Sequence, residues 1–94
     1  MLTHVVLMKF ADPADAAKSA RLLEDLIGKV ESIRTLEVRL DELRTEVSWD
    51  LFLVTTHDDA DGLKAYQTDP VHLELASWLK PRLAARAVVD YTAG

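Results

Sequence analysis

His4-Val5-Val6-Leu7-Met8-Lys9-Phe10 carries two apolar sets along one short run with β-branched residues. Side chains of a strand alternate between its faces, so Val5 and Leu7 share one face, and Val6, Met8 and Phe10 share the other. Trp49-Asp50-Leu51-Phe52-Leu53-Val54 behaves alike, with Trp49, Leu51 and Leu53 opposed to Phe52 and Val54. An antiparallel sheet covered by helices on one side normally turns polar residues to the other. Here both faces of both runs are apolar, so both need cover.

The rest of the chain supplies the elements around these two strands. Asp12-Pro13 ends the first strand, and Asp12 suits an N-cap with Pro13 at the first helical position. Ala16, Ala20, Leu23 and Ile27, with Leu22 and Leu26, follow helical spacing from Ala14 to about Ile27, close to Gly28. Ile33 to Leu40 alternates as a half-buried strand, and the polar stretch Asp41 to Glu46 leads to a strand from Val47 to Thr56. Asp58 or Asp59 can cap a helix carrying Leu63 and Tyr66. After Asp69-Pro70 a third helix runs through Val71, Leu75, Trp78 and Leu79 until Pro81, and a last strand spans roughly Ala87 to Tyr91.

The order β-α-β-β-α-(α)-β predicts an α+β fold, a ferredoxin-like antiparallel four-stranded sheet with helices on one face. Its first and third strands, the two-faced ones, are then central. The expected cover for the second face is another copy of the sheet, a homodimer closed as a dimeric α+β barrel. The alternative is a thin layer made by the chain's own short loops.

The 94 residues make one domain, residues 1–94, and 49% hydrophobic content is enough for a real core. A net charge of −5, with eleven basic residues scattered and never in a run, argues against nucleic acid and anionic membrane surfaces. Without cysteine there is no disulfide, thiol nucleophile or thiolate metal site. No apolar run reaches membrane-span length and the start lacks a signal-peptide pattern, so the expected location is the cytoplasm.

Chemistry concentrates in Ala65-Tyr66-Gln67-Thr68-Asp69-Pro70-Val71-His72, which sets a phenol and an imidazole six residues apart across a proline-fixed helix boundary. A neutral His72 can take a proton from the carbon acid of a bound ketone while Tyr66 donates a hydrogen bond to the developing enolate. In the alternative, His72 bonds a backbone carbonyl near Pro70 and Tyr66 is a core aromatic. His4 begins a central strand and can reach the same cavity or the dimer seam. Asp50 and Asp90 interrupt apolar strands, and a buried carboxylate must find partners. Asp50 can fix a histidine tautomer or pair with Lys9 or an arginine. Trp78 belongs to the core or an interface, or lines an apolar pocket. The acidic stretch His57-Asp58-Asp59-Ala60-Asp61 matches no calcium loop and suits a helix N-terminus, so no metal is expected.

His4-Val5-Val6-Leu7-Met8-Lys9-Phe10, Trp49-Asp50-Leu51, the Tyr66-x-x-x-Pro70-x-His72 spacing and Val88-Val89-Asp90-Tyr91 together resemble the stress-responsive dimeric α+β barrel (Dabb) domain, in order and over essentially the whole chain. The resemblance implies a ferredoxin-like subunit and a dimer whose two sheets form the barrel. It also implies a relation to the plant polyketide cyclase that closes an aromatic ring by aldol condensation without metal or cofactor. The tyrosine and histidine that carry that chemistry match Tyr66 and His72, and a further histidine matches His4. Where the cyclase has a second histidine, in its third strand, this chain has Asp50.

These residues give a site list of Tyr66 and His72 for catalysis and His4, Asp50 and Trp78 for substrate contact, with no cofactor. Three functional classes stay open. One is a cofactor-independent enzyme acting on an apolar or aromatic small molecule, by cyclisation or monooxygenase-like oxygenation. Another is a non-catalytic stress-response dimer that sequesters such a ligand. The third is a purely structural or interaction module. A cavity of several hundred cubic ångströms with Tyr66 and His72 facing inward favours the first two, and a filled interior favours the third.

Overall fold

The computed structural model describes residues 1–93; Gly94, the last residue of the expected domain, lies outside them. The elements run β1 (Leu2–Phe10), α1 (Asp15–Glu24), β2 (Thr35–Leu40), β3 (Leu51–His57), α2 (Ala60–Thr68), α3 (Pro70–Leu79), a 3-10 turn (Lys80–Arg82) and β4 (Leu83–Thr92). The strands form one antiparallel sheet in the order β2-β3-β1-β4, the ferredoxin-like arrangement, with β1 and β3 central. Helices cover one face.

Register decides which side chains meet. Val6 opposes Leu53 on β3 and Val88 on β4, and His4 opposes Thr55 and Asp90. His4, Val6, Met8 and Phe10 point under the helices together with Leu51, Leu53, Thr55 and His57, and all eight are buried. They pack against Ala16, Ala20 and Leu23 of α1, Leu63 and Tyr66 of α2, and Leu75 and Leu79 of α3. On the opposite face Val5, Leu7, Phe52 and Val54 are only half-buried, and Val89 and Tyr91 are exposed. The second apolar face is present, and nothing within the described residues of the chain covers it.

Several boundaries differ from the sequence expectation: β1 begins at Leu2 rather than His4 and β2 at Thr35 rather than Ile33, and larger differences fall at both ends of α1 and at the starts of β3 and β4. Asp12 does not cap α1: its carboxylate accepts from the Ala14 amide at 3.0 Å and its carbonyl from the Asp15 amide at 3.0 Å, closing a turn before the helix begins. At the other end α1 stops at Glu24, and bonds from the Leu26 amide to the Leu23 carbonyl and from Ile27 to Glu24 tighten the chain into turns. Helical spacing survives there because a 3-10 turn still buries Leu26, while Gly28 ends the segment at φ +81°, a conformation glycine adopts without cost.

β3 starts at Leu51 rather than Val47, which is 84% exposed, because the Ser48 amide bonds the Thr45 carbonyl and folds that stretch into a turn. β4 begins at Leu83, four residues early, because pairing with the central strand β1 holds the backbone of Leu83, Ala85 and Arg86 in a stretch that carries no apolar alternation.

The α2–α3 corner follows its sequence signals. The Asp59 carboxylate caps α2 by accepting from the Gly62 amide at 2.9 Å, and the Asp69 carboxylate caps α3 by accepting from Val71 at 2.8 Å. Asp69 precedes a proline, which excludes it from the α region; it sits at ψ 134°, ends α2 and redirects the chain into α3.

Candidate functional site

That corner brings the tyrosine and histidine together. Tyr66 lies in the last turn of α2 and His72 in the first turn of α3, and their ring centroids are 4.4 Å apart with the planes at 55°. Both line a cavity of about 260 Å³ between the helices and the β1–β4 side of the sheet. Its walls include Val6, Met8, Leu53, Leu75 and Leu79, and its polar lining is His4, Tyr66, Gln67, His72, Lys80 and Arg86.

The His72 Nδ1 lies 3.2 Å from the Gln67 carbonyl oxygen. A carbonyl only accepts, so Nδ1 carries the hydrogen, and the neutral ring keeps its lone pair on Nε2. This bond also ties the start of α3 to the end of α2. Burial pushes the His72 pKa below its usual 6.5; the Gln67 bond opposes this, and the charges of Arg86 and Lys80 add to the lowering. His72 is therefore a neutral base at pH 7.

Tyr66 moves the other way. Burial raises its phenol from 10.0 to about 12, against an opposing pull from Arg86. It is a protonated donor throughout the physiological range.

Behind Tyr66 lies His57, fully buried and stacked on the phenol ring with centroids 5.3 Å apart and planes at 25°. Its Nδ1 donates to the Ser32 carbonyl at 2.8 Å, so its Nε2 accepts from the Thr55 hydroxyl at 2.8 Å. Burial lowers the His57 pKa as well, keeping the ring neutral. With both nitrogens engaged, His57 is a fixed backing for the tyrosine.

His4 lines the cavity from β1, and its Nδ1 is held by the carboxylate of Asp90, its partner across the β1–β4 ladder. The two polar interruptions of apolar strands, at positions 4 and 90, thus satisfy each other.

Asp50 and Trp78 do not line this cavity. Asp50 sits at the far end of β1, where its carboxylate accepts from the Phe10 amide at 2.7 Å and from the Arg44 guanidinium at 2.5 Å. Burial by itself would raise its pKa; these two bonds more than offset that and hold the group below the ordinary value. It secures the strand end where β1–β4 pairing shifts between Lys9 and Phe10. Trp78 faces a separate, more open groove between α1 and α3, with Lys18 and Arg82 over its ring at 5.1 and 4.1 Å.

Three lining or backing residues were not expected from sequence. His57 keeps the parity of Leu51, Leu53 and Thr55, which would have placed it under the helices. Arg86 could be assigned only with the β1–β4 register in hand, and Lys80 gave no signal.

A ferredoxin-like sheet with one face under helices, one apolar face bare and a Tyr–His cavity beneath the helices defines an α+β barrel subunit. The chain matches the stress responsive A/B barrel domain (Dabb) model over residues 2–93 and belongs to that family. Among solved structures it is similar to a dimeric protein of unknown function and ferredoxin-like fold from Bacteroides fragilis, at 30% identity and TM-score 0.86, over 98% of this chain and 95% of that one. A dimeric ferredoxin-like protein of unknown function from Thermobifida fusca shares the fold at 23% identity and TM-score 0.85, over 98% and 90% of the two chains. So does the hydroxynitrile lyase of Passiflora edulis, at 12% identity and TM-score 0.83, over 99% and 93%. No curated protein matches the chain.

Proposed function

We propose that this domain binds a small apolar or aromatic carbonyl compound in the cavity beneath α2 and α3 and acts on it by cofactor-independent acid–base chemistry. The observation that carries this is the Tyr66–His72 contact within the lining of an otherwise largely apolar cavity. Nε2 of neutral His72 takes a proton from the carbon beside the carbonyl. As the carbonyl oxygen becomes an enolate, the Tyr66 hydroxyl donates it a hydrogen bond that strengthens with the growing charge. The enolate then regains a proton or attacks a second carbonyl, the step an aldol cyclisation requires. A volume of about 260 Å³ is just under the ~300–1,000 Å³ of drug-sized ligand sites, so the ligand is small.

The working unit in this proposal is a homodimer. Val5, Leu7, Phe52, Val54, Val89 and Tyr91 form an apolar sheet face that a second copy would bury, and two proteins of this fold are described as dimeric.

A second reading, ligand sequestration without turnover, is favoured by the bond of His72 to the Gln67 carbonyl, which by itself gives the ring a structural task.

Deuterium uptake at the methyl group of acetophenone in D₂O, followed by NMR, separates the two. Catalysis predicts uptake faster than in buffer, lost in His72→Ala and at least about tenfold slower in Tyr66→Phe, with circular dichroism unchanged. Equal rates in all three proteins would overturn it.

A further inference from the structure

Arg86 and Lys80 have no task in the chemistry above, yet both line the cavity. Among the described residues neither forms an ion pair, and no carboxylate side chain lines the cavity. The nearest acid in the strand register, Asp90, is engaged by His4. Other basic residues of the chain also lack an ion pair, but Lys18 and Lys29, which share the groove between α1 and α3, have Asp25 and Glu74 in the same lining, whereas Arg86 and Lys80 share a lining that holds no acid.

Their placement is specific. Arg86 projects from β4 opposite Met8, on the face under the helices, and Lys80 follows the last residue of α3. Both are exposed residues that reach the cavity at its rim, one from the sheet and one from the helical layer, and both act electrostatically on His72. A guanidinium offers paired donors that fit a carboxylate, and an ammonium adds a point charge. Apart from His4 and Gln67 the remaining walls are apolar, with Tyr66 on α2 and His72 on α3.

We propose that the ligand of this cavity is an organic monoanion, a small carboxylic acid with an apolar or aromatic body, its carboxylate held by Arg86 and Lys80 and its body directed toward Tyr66 and His72. This deepens the proposed function and rests on the cavity being a ligand site. It separates the substrate class from neutral ketones: the natural compound carries an acid group at one end and its reacting carbonyl at the other.

The test compares benzoate with benzamide, which has the same ring and nearly the same shape without the charge. Binding is followed at pH 7 by NMR through the imidazole resonances of His72, assigned by their loss in His72→Gln. Benzoate is expected to bind at least about tenfold more tightly than benzamide. Arg86→Gln and Lys80→Gln should each shrink that preference and together remove it, while benzamide affinity stays as in wild type. Lys64→Gln, an exposed charge outside the cavity, should leave the preference intact. Equal affinity for the two compounds, or a preference that survives the double substitution, would overturn the anion assignment and leave the cavity reading standing. If neither compound moves the His72 resonances at millimolar concentration, both proposals fall.

Discussion

The rings of Tyr66 and His72 lie 4.4 Å apart because a single residue, Asp69, both ends α2 and caps α3. The pair is a product of the corner. Tyr66 is wedged between His57 and His72, so its phenol is desolvated from two sides while both imidazoles are neutral and supply no compensating charge.

A direct consequence is a late phenol titration. The chain has two tyrosines, so a Tyr91→Phe variant reports Tyr66 alone. Its phenolate absorbance should rise near pH 12. A transition near 10, the ordinary tyrosine value, would mean that the phenol is solvated.

Acid should weaken the fold through the two lowered histidines. In the unfolded chain His57 and His72 take up protons near 6.5, whereas in the folded chain they resist until lower pH. Below 6.5 the unfolded state therefore binds more protons, and stability falls with pH until the lowered pKa values are reached. Urea midpoints at pH 7.5 and 5.5 should show this loss, and a His57→Gln variant, though less stable at pH 7.5, should lose less between the two. An equal loss in both proteins would remove His57 from the account.

Asp50 is predicted to matter for stability and not for the cavity. Asp50→Ala leaves the buried Phe10 amide without its acceptor and frees Arg44, at a cost of about 2 kcal/mol in urea unfolding. Acetophenone binding should be unchanged. A loss of binding at equal stability would return Asp50 to the site.

The bare sheet face gives a test of assembly. Val54→Lys places a charge at the centre of the face, beside Val5. Light scattering at micromolar concentration should give twice the 10.5 kDa chain mass for wild type and 10.5 kDa for the variant. A wild-type mass of 10.5 kDa would leave the apolar face without its partner.

Sequence reasoning worked where a local rule governs. Asp59 and Asp69-Pro70 are signals that act within one turn of chain, and the structure uses them as caps. Asp12 suits a cap by residue type and instead closes a turn with its own neighbours Ala14 and Asp15, a choice between two local geometries. Long-range bonds override local preference at the edge strand β4, which starts early because β1 holds it. The expected substrate contacts Asp50 and Trp78 lie outside the cavity, because residue type and position along a strand or helix do not say which way a side chain faces.

Read alone, the sequence determines the strand and helix order, the need for cover on both sheet faces, the family resemblance and the Tyr66–His72 spacing, since each follows from local geometry and residue type. The tertiary structure decided what that spacing means. The β1–β4 register brings His4 to Asp90 and Arg86 into the cavity, and the α2–α3 corner turns His72 onto Tyr66. Those relations join positions up to 86 residues apart, and only packing, which desolvates the rings and leaves two cations unpaired at the rim, gathers them around one cavity.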